Sequence, residues 1–308
     1  MSDEKLIVTK SKLDALATSI STKSGVATPM TIAQMKMAVD GIPSGGNFYQ
    51  DEDGYLVLSD SGEDNIVDMY NNYIYNGAIP KIVNLTGTKI RSNLFEDSRT
   101  IEEVYAPNVT EIKNTHHNGG SIFGNCFYGC TNLKIASFPK LTAVGDGMFR
   151  GCSNLETLDL SSNKGLAYNN IFFGCSKISV FVFNKLTNAQ NLGTNVFAWC
   201  STLQAVDLGS TGTFKFNGQT IFNNDSNLTT LILRVTSLTA LSYTNCFNGT
   251  PFASGGTGGT LYVPSALISS YQSATNWSTI LSYTNNQILP IEGSIYETQY
   301  ADGTPISS

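Results

Sequence analysis

Charge is what this sequence has least of. Acidic and basic residues make up 14% of its 308 residues, where an average soluble protein has roughly 25%. The net charge is −6 and no Lys or Arg follows Arg234, so the basic stripe that nucleic-acid binding requires is missing and nucleic acid is excluded as a partner. Hydrophobic residues nevertheless stand at 41%, too many for an acidic disordered chain. Long apolar runs are absent too, which excludes insertion into a membrane as a helix. The opening Met1-Ser2-Asp3-Glu4-Lys5 has neither a basic n-region nor an apolar h-region, so no Sec-type signal is expected. The chain is expected to be made in the cytoplasm. Histidine is confined to His116-His117, inside an insertion from Lys113 to Gly124 that reads as a solvated loop. Adjacent histidines lack the i, i+4 spacing that puts two metal ligands on one face, and elsewhere no base is available to a Ser or Cys nucleophile. No metal, no cofactor and no catalytic residue is therefore expected.

What replaces the charge is Asn, Ser, Thr and Gly, arranged in a repeat. FYGCTNLKIASF begins at Phe127, FRGCSNLETLDL at Phe149, FFGCSKISVFVF at Phe172, FAWCSTLQAVDL at Phe197 and FNNDSNLTTLIL at Phe222, with weaker copies at Phe95 and Phe247. The period lies in the low twenties, which is the signature of stacked coils. Within a unit the apolar residues keep one spacing, as in Leu155, Leu158 and Leu160 or Leu203, Val206 and Leu208. The last two alternate like a strand with one face inward. Such a coil cannot bury its apolar side alone, so stacking is obligatory, and Phe149, Phe172 and Phe197 should form an internal column.

The Phe-x-Gly-Cys-x-x-Leu-x-x-Leu-x-Leu unit, followed in one copy by Phe138-Pro139-x-Leu141-x-x-Val144-Gly145, resembles the BspA-like leucine-rich repeats of bacterial surface and phage-associated proteins. The resemblance covers about residues 79 to 282 and implies a β-rich leucine-rich repeat solenoid. Leu261-Tyr262-Val263-Pro264, with Ser265, Leu267, Ile268, Tyr271 and Trp277 behind it, resembles that family's closing strand and helix, with Ser265 as N-cap. Near the start, Val8 to Leu16 is similar to the N-termini of phage and prophage tail-associated proteins. Apolar residues at helical spacing over 9–22 and 31–42 predict two short helices, the second opened by a Thr31/Gln34 capping box. Neither could stand alone, so the pair is expected to dock on an oligomer mate or another particle protein.

Four segments result: a two-helix attachment segment (1–46), a β-hairpin and leading cap (47–78) with Asp53-Gly54 as a two-residue turn, the solenoid (79–260), and a cap with a loosely packed polar tail (261–308). The acidic residues Asp51, Glu52, Asp53, Asp60, Glu63, Asp64 and Asp68 lack EF-hand spacing and read as surface turns. Ser254-Gly255-Gly256-Thr257-Gly258-Gly259 has no phosphate-loop Lys and reads as a flexible connection.

Cys130, Cys152, Cys175 and Cys200 share one repeat position that Asp225 and Thr250 occupy in later copies, so the slot is small and the six cysteines, with Cys126 and Cys246, are expected to be buried free thiols. The residues between the inward Leu positions should face out and align across coils. One such row reads Tyr105, Ser137, Asp159, Val182, Asp207, Ile232; a second reads Glu103, Ile135, Thr157, Val180, Ala205, Thr230. Apolar residues rimmed by acids suggest a contact surface for a protein or glycan, with Tyr105, Ile135, Asp159, Val180, Val182, Asp207 and Ile232 as its candidate residues. Sheet propensity alone would also account for the β-branched members. The function expected is non-catalytic recognition or adhesion, carried on a phage tail or bacterial surface; the alternative is a structural spacer or assembly protein of a phage-like particle.

Overall fold

A computed structural model describes residues 81–306 apart from 86–88, 93, 114, 118–119, 123, 187–190 and 211–213, together with the backbone of Phe48–Gln50 and Leu56–Leu58. The two helices expected before residue 43, and the acidic turns, lie outside the described residues. Strands β1 (Phe48–Gln50) and β2 (Leu56–Leu58) pair antiparallel. Their register closes at Gln50 opposite Leu56, and the expected Asp53-Gly54 turn lies outside the described residues. β3 (Ile82–Leu85), β4 (Glu103–Tyr105), β5 (Ile135–Ser137) and β6 (Thr157–Asp159) extend this sheet in parallel, one strand per coil. A second parallel sheet holds β7 (Val180–Leu186), β8 (Ala205–Ser210), β9 (Thr230–Arg234), β10 (Thr260–Val263) and β11 (Gln287–Pro290). The result is a parallel β-solenoid of about seven turns.

The core runs along the axis. Phe95, Phe127, Phe149, Phe172, Phe197, Phe222 and Phe247 stack ring on ring, with centroids 5.4–5.8 Å apart and tilts between neighbours of 3° to 24°. The cysteine position explains itself beside this column. Each thiol donates to the phenylalanine carbonyl of the preceding coil, Cys130 to Phe95, Cys152 to Phe127, Cys175 to Phe149 and Cys200 to Phe172, at 2.9–3.1 Å. All six cysteines are buried free thiols. Burial pushes these four well above the ordinary thiol range, so they stay protonated donors that clip coil to coil rather than nucleophiles.

Just before each of these four cysteines the chain turns left-handed. Gly129, Gly151 and Gly174 adopt φ of 72°, 77° and 75° there, and in the next coil Trp199 is held at φ 66° with about half of its surface exposed. A left-handed conformation costs an L-residue about 1–2 kcal/mol, partly offset by the extra chain entropy glycine loses on folding. Trp199→Gly is therefore expected to raise stability by about 0.5–1 kcal/mol, read as a higher urea midpoint. An unchanged or lower midpoint would show that the indole makes up for the strain.

One step of the ladder is missing. The residues that open each strand donate to a carbonyl of the coil before: Glu102 and Glu103 to Lys81 (2.6 and 2.9 Å), Lys134 and Ile135 to Glu102 (2.7 and 3.2 Å), Glu156 and Thr157 to Lys134 (both 3.0 Å). Gln204 and Ala205 do the same to Ser179, and Thr229 and Thr230 to Gln204. Ser179 and Val180 form no such bonds to Glu156, and β6 and β7 belong to different sheets. On the phenylalanine side the same two coils stay joined, with Phe149 and Phe172 5.8 Å apart and the Gly151 amide donating to the Phe173 carbonyl at 2.7 Å. The coils open like a wedge hinged on the aromatic column.

The far end is closed by α1 (Ile268–Ser273) and α2 (Trp277–Ser282). Tyr271 and Trp277 are fully buried; the Tyr271 hydroxyl accepts from the Thr239 amide at 3.0 Å and the Trp277 indole donates to the Thr239 carbonyl at 2.6 Å. Ser265 is not an N-cap. It lies inside a 3-10 turn (Ser265–Leu267), and its own amide is taken by the Glu292 carboxylate at 2.8 Å. The insertion around the histidines is likewise more ordered than the loop expected: Thr115–His117 and Gly120–Ile122 pair as a small antiparallel hairpin.

Candidate functional site

The outward rows align as the spacing requires. Tyr105 pairs with Ser137 and Ser137 with Asp159; Val182 pairs with Asp207 and Asp207 with Ile232. The second row aligns the same way, Glu103 with Ile135, Ile135 with Thr157, and Val180 with Ala205. Each row is interrupted once, between β6 and β7.

Accessibility divides this face in two. Tyr105, Ile135, Asp159, Val180 and Val182 are half-buried and reach solvent. Asp207 and Ile232 do not: both are fully buried, and the expectation that they face solvent is corrected. Over Asp207 the cover is the C-terminal tail, expected to pack loosely. The Asp207 carboxylate receives Nε and one Nη of Arg234 at 2.8 and 3.0 Å and the Ala301 amide at 3.0 Å. The same guanidinium donates to the carbonyls of Tyr296 (2.7 Å) and Gln299 (2.9 Å) and lies 5.1 Å from the Tyr300 ring centre. Tyr296 packs edge-on against Tyr262 at 4.8 Å. Burial pulls the Asp207 carboxyl above the usual carboxylate range, and the Arg234 guanidinium opposes that shift. The available signal was Arg234 itself, the last basic residue of the chain, standing two positions past the register partner of Asp207.

The open half is acidic and fixed at its margin. Glu102 holds Lys134 at 2.7 Å and Lys81 at 2.6 Å; hydrogen bonds from Lys134 and then Lys81 lower its carboxyl to about 2. Tyr105 donates to Glu103 at 2.7 Å, which fixes the ring on the face. Among the described residues no cluster of three or more His, Cys, Asp and Glu could hold a metal, and no helix is long and apolar enough to cross a membrane.

Residues 120–251 match the BspA type leucine rich repeat region in six copies. Over these residues the repeats are of the BspA leucine-rich type. Several solved structures align with the chain. A leucine-rich cell surface protein of Faecalibacterium prausnitzii is 14% identical, covering 86% of this chain and 97% of that one with a TM-score of 0.34. The Treponema pallidum leucine-rich repeat protein, named T. pallidum TpLRR, is 12% identical over 65% of this chain and 86% of its own, at 0.32. A leucine-rich repeat protein of Eubacterium ventriosum is 14% identical over 68% and 94%, at 0.27. No curated protein matches in sequence. In the BspA-type array the Phe-x-Gly-Cys element supplies the column and the thiol clip, and the strand residues between the leucines supply the face.

Proposed function

We propose that this BspA-type array is a non-catalytic recognition module that binds a protein or glycan through the open half of its strand face. Repeats of this type generally mediate protein binding or adhesion. The observation that carries the reading is that Tyr105 and Ile135 on β4 and β5, and Val180 and Val182 on β7, are half-buried outward groups among Glu103, Glu156 and Asp159. Apolar groups kept at a polar-rimmed surface mark contact sites. Asp207 and Ile232 are no part of it. Carriage on a phage tail or at a bacterial surface, with residues 1–46 as the attachment, is supported by the resemblance of Val8 to Leu16.

The test is a glycan array and a displayed library of protein fragments, each probed with the full chain and with Tyr105→Lys/Ile135→Lys. Both side chains point away from the core, so the variant should fold. Central contacts are worth about 2 kcal/mol or more, so affinity for a true partner should fall about 30-fold or further. Equal binding by parent and variant would remove this face from consideration.

A further inference from the structure

The strongest unassigned feature is the wedge between β6 and β7. It forms a half-open cavity of about 710 Å³, lined also by Tyr300, Asp302 and Thr304 of the tail, within the usual size range of ligand sites. Its two walls are strand edges. Ser179 and Val180 present amides, and Glu156 a carbonyl, that at the other steps of the ladder are paired with the neighbouring coil. Its floor is apolar: Leu158 is half-buried, whereas the residues at the same position in other coils, Ala136, Val206 and Leu231, are fully buried. Its rim carries Glu156, Asp159 and Asp302, and among the described residues no Lys, Arg or His lines it.

We propose that this wedge is a slot for an extended peptide with alternating apolar and basic side chains, which enters as an extra strand and completes the ladder. Backbone groups on both walls match the donors and acceptors of an extended chain on both of its sides, the chemistry of strand addition. A strand points alternate side chains to opposite faces, so an occupant turns one set onto Leu158 and Phe181 and the other out among the carboxylates. Charge complementarity selects the second set as Lys or Arg. Two facing unpaired edges inside a solenoid are also a liability that a fold otherwise covers. The proposal rests on the recognition reading, but it uses none of the residues that test that reading.

The probe is a fluorescein-labelled, end-capped heptapeptide of alternating Lys and Val, titrated against the full chain by anisotropy. Saturable one-to-one binding is expected. The same peptide N-methylated at alternate residues loses the donors of one edge, and its affinity should drop about tenfold, the worth of one or two net hydrogen bonds. A Glu–Val peptide should bind at least as weakly, and Glu156→Lys/Asp159→Lys should reverse the preference between the two. Amide exchange at Ser179 and Val180 should slow when the Lys–Val peptide is present. Tyr105→Lys/Ile135→Lys should bind this peptide as the parent does, whether or not it has lost a partner of the outer face, so the two readings fail separately. No saturable binding, equal binding of the N-methylated or Glu–Val peptide, or unchanged exchange at Ser179 and Val180 would overturn the slot.

Discussion

Raising the pH from 5 to 8 is expected to cost the folded chain about 4 kcal/mol through a single carboxyl, Asp225, and Asp225→Asn is expected to abolish that loss. Asp225 sits in the slot that cysteine fills in four other coils and is fully buried. One of its oxygens accepts the Cys200 amide at 2.8 Å, and the other has no partner. Burial raises its pKa from 3.8 to about 9, with the Cys200 amide pulling the other way. The folded state thus keeps the proton up to about pH 9, while the unfolded chain releases it above about pH 4. Between those limits the folded state binds one proton more, and stability falls by about 1.4 kcal/mol for each pH unit. A neutral carboxyl also suits the slot, because the thiols at the equivalent positions act there as donors. Asparagine keeps the acceptor and supplies a permanent donor.

Urea midpoints at pH 5 and pH 8 for the parent and Asp225→Asn measure the effect. Glu102, lowered to about 2, titrates below this window and does not confuse it. Asp207, whose carboxyl is also raised, adds a loss of the same sign in both proteins and cancels in the comparison. Parallel loss in parent and variant would show that Asp225 is ionised when folded.

The column, the thiol slot and the outward rows were legible in the sequence because a repeat states the same local rule several times. Asp225 and Thr250 in the cysteine position showed that the slot is small, and the register of Tyr105, Ser137 and Asp159 follows from strand alternation alone. The wedge was not legible. Whether Ser179 donates to Glu156 depends on how two coils tilt about the aromatic column, and residue identity specifies only which side chains face inward. The change visible in sequence at that step is bulk: Phe181 and Phe183 stand where the preceding coil has Leu158 and Leu160, and Phe181 packs on Phe172 and Phe197 at 5.2 and 4.8 Å. The tail escaped for a different reason. Its anchor joins Asp207 to Ala301, 94 residues apart, and no periodicity links a repeat residue to a segment outside the repeat.

Arg234→Met is expected to detach the tail. Among the described residues the guanidinium is the only cation on the Asp207 carboxylate, and it also holds the Tyr296 and Gln299 carbonyls, so one substitution removes four hydrogen bonds. If the tail stayed down, a buried charge would be left unpaired, at about 3–5 kcal/mol. The tail is terminal, however, and can lift away without unstacking any coil, which returns Asp207 to water and caps the cost at the free energy of tail docking. Detachment is the cheaper response. Amides such as Ala301 and Ile306 should then exchange rapidly, and a protease should cut near Tyr300, while the aromatic column stays protected. Asp207→Asn added to Arg234→Met removes the stranded charge and should restore part of the protection, whereas the tail carbonyls would still lack their donor. Arg234→Lys keeps the charge without the two-pronged fork and should fall between. A tail that stays protected in Arg234→Met would show that Tyr296 on Tyr262 and the remaining backbone contacts suffice to hold it. Detachment would bring Asp207 to solvent and extend the open strand face onto β8, so the same variant measures how much of the face the tail withholds.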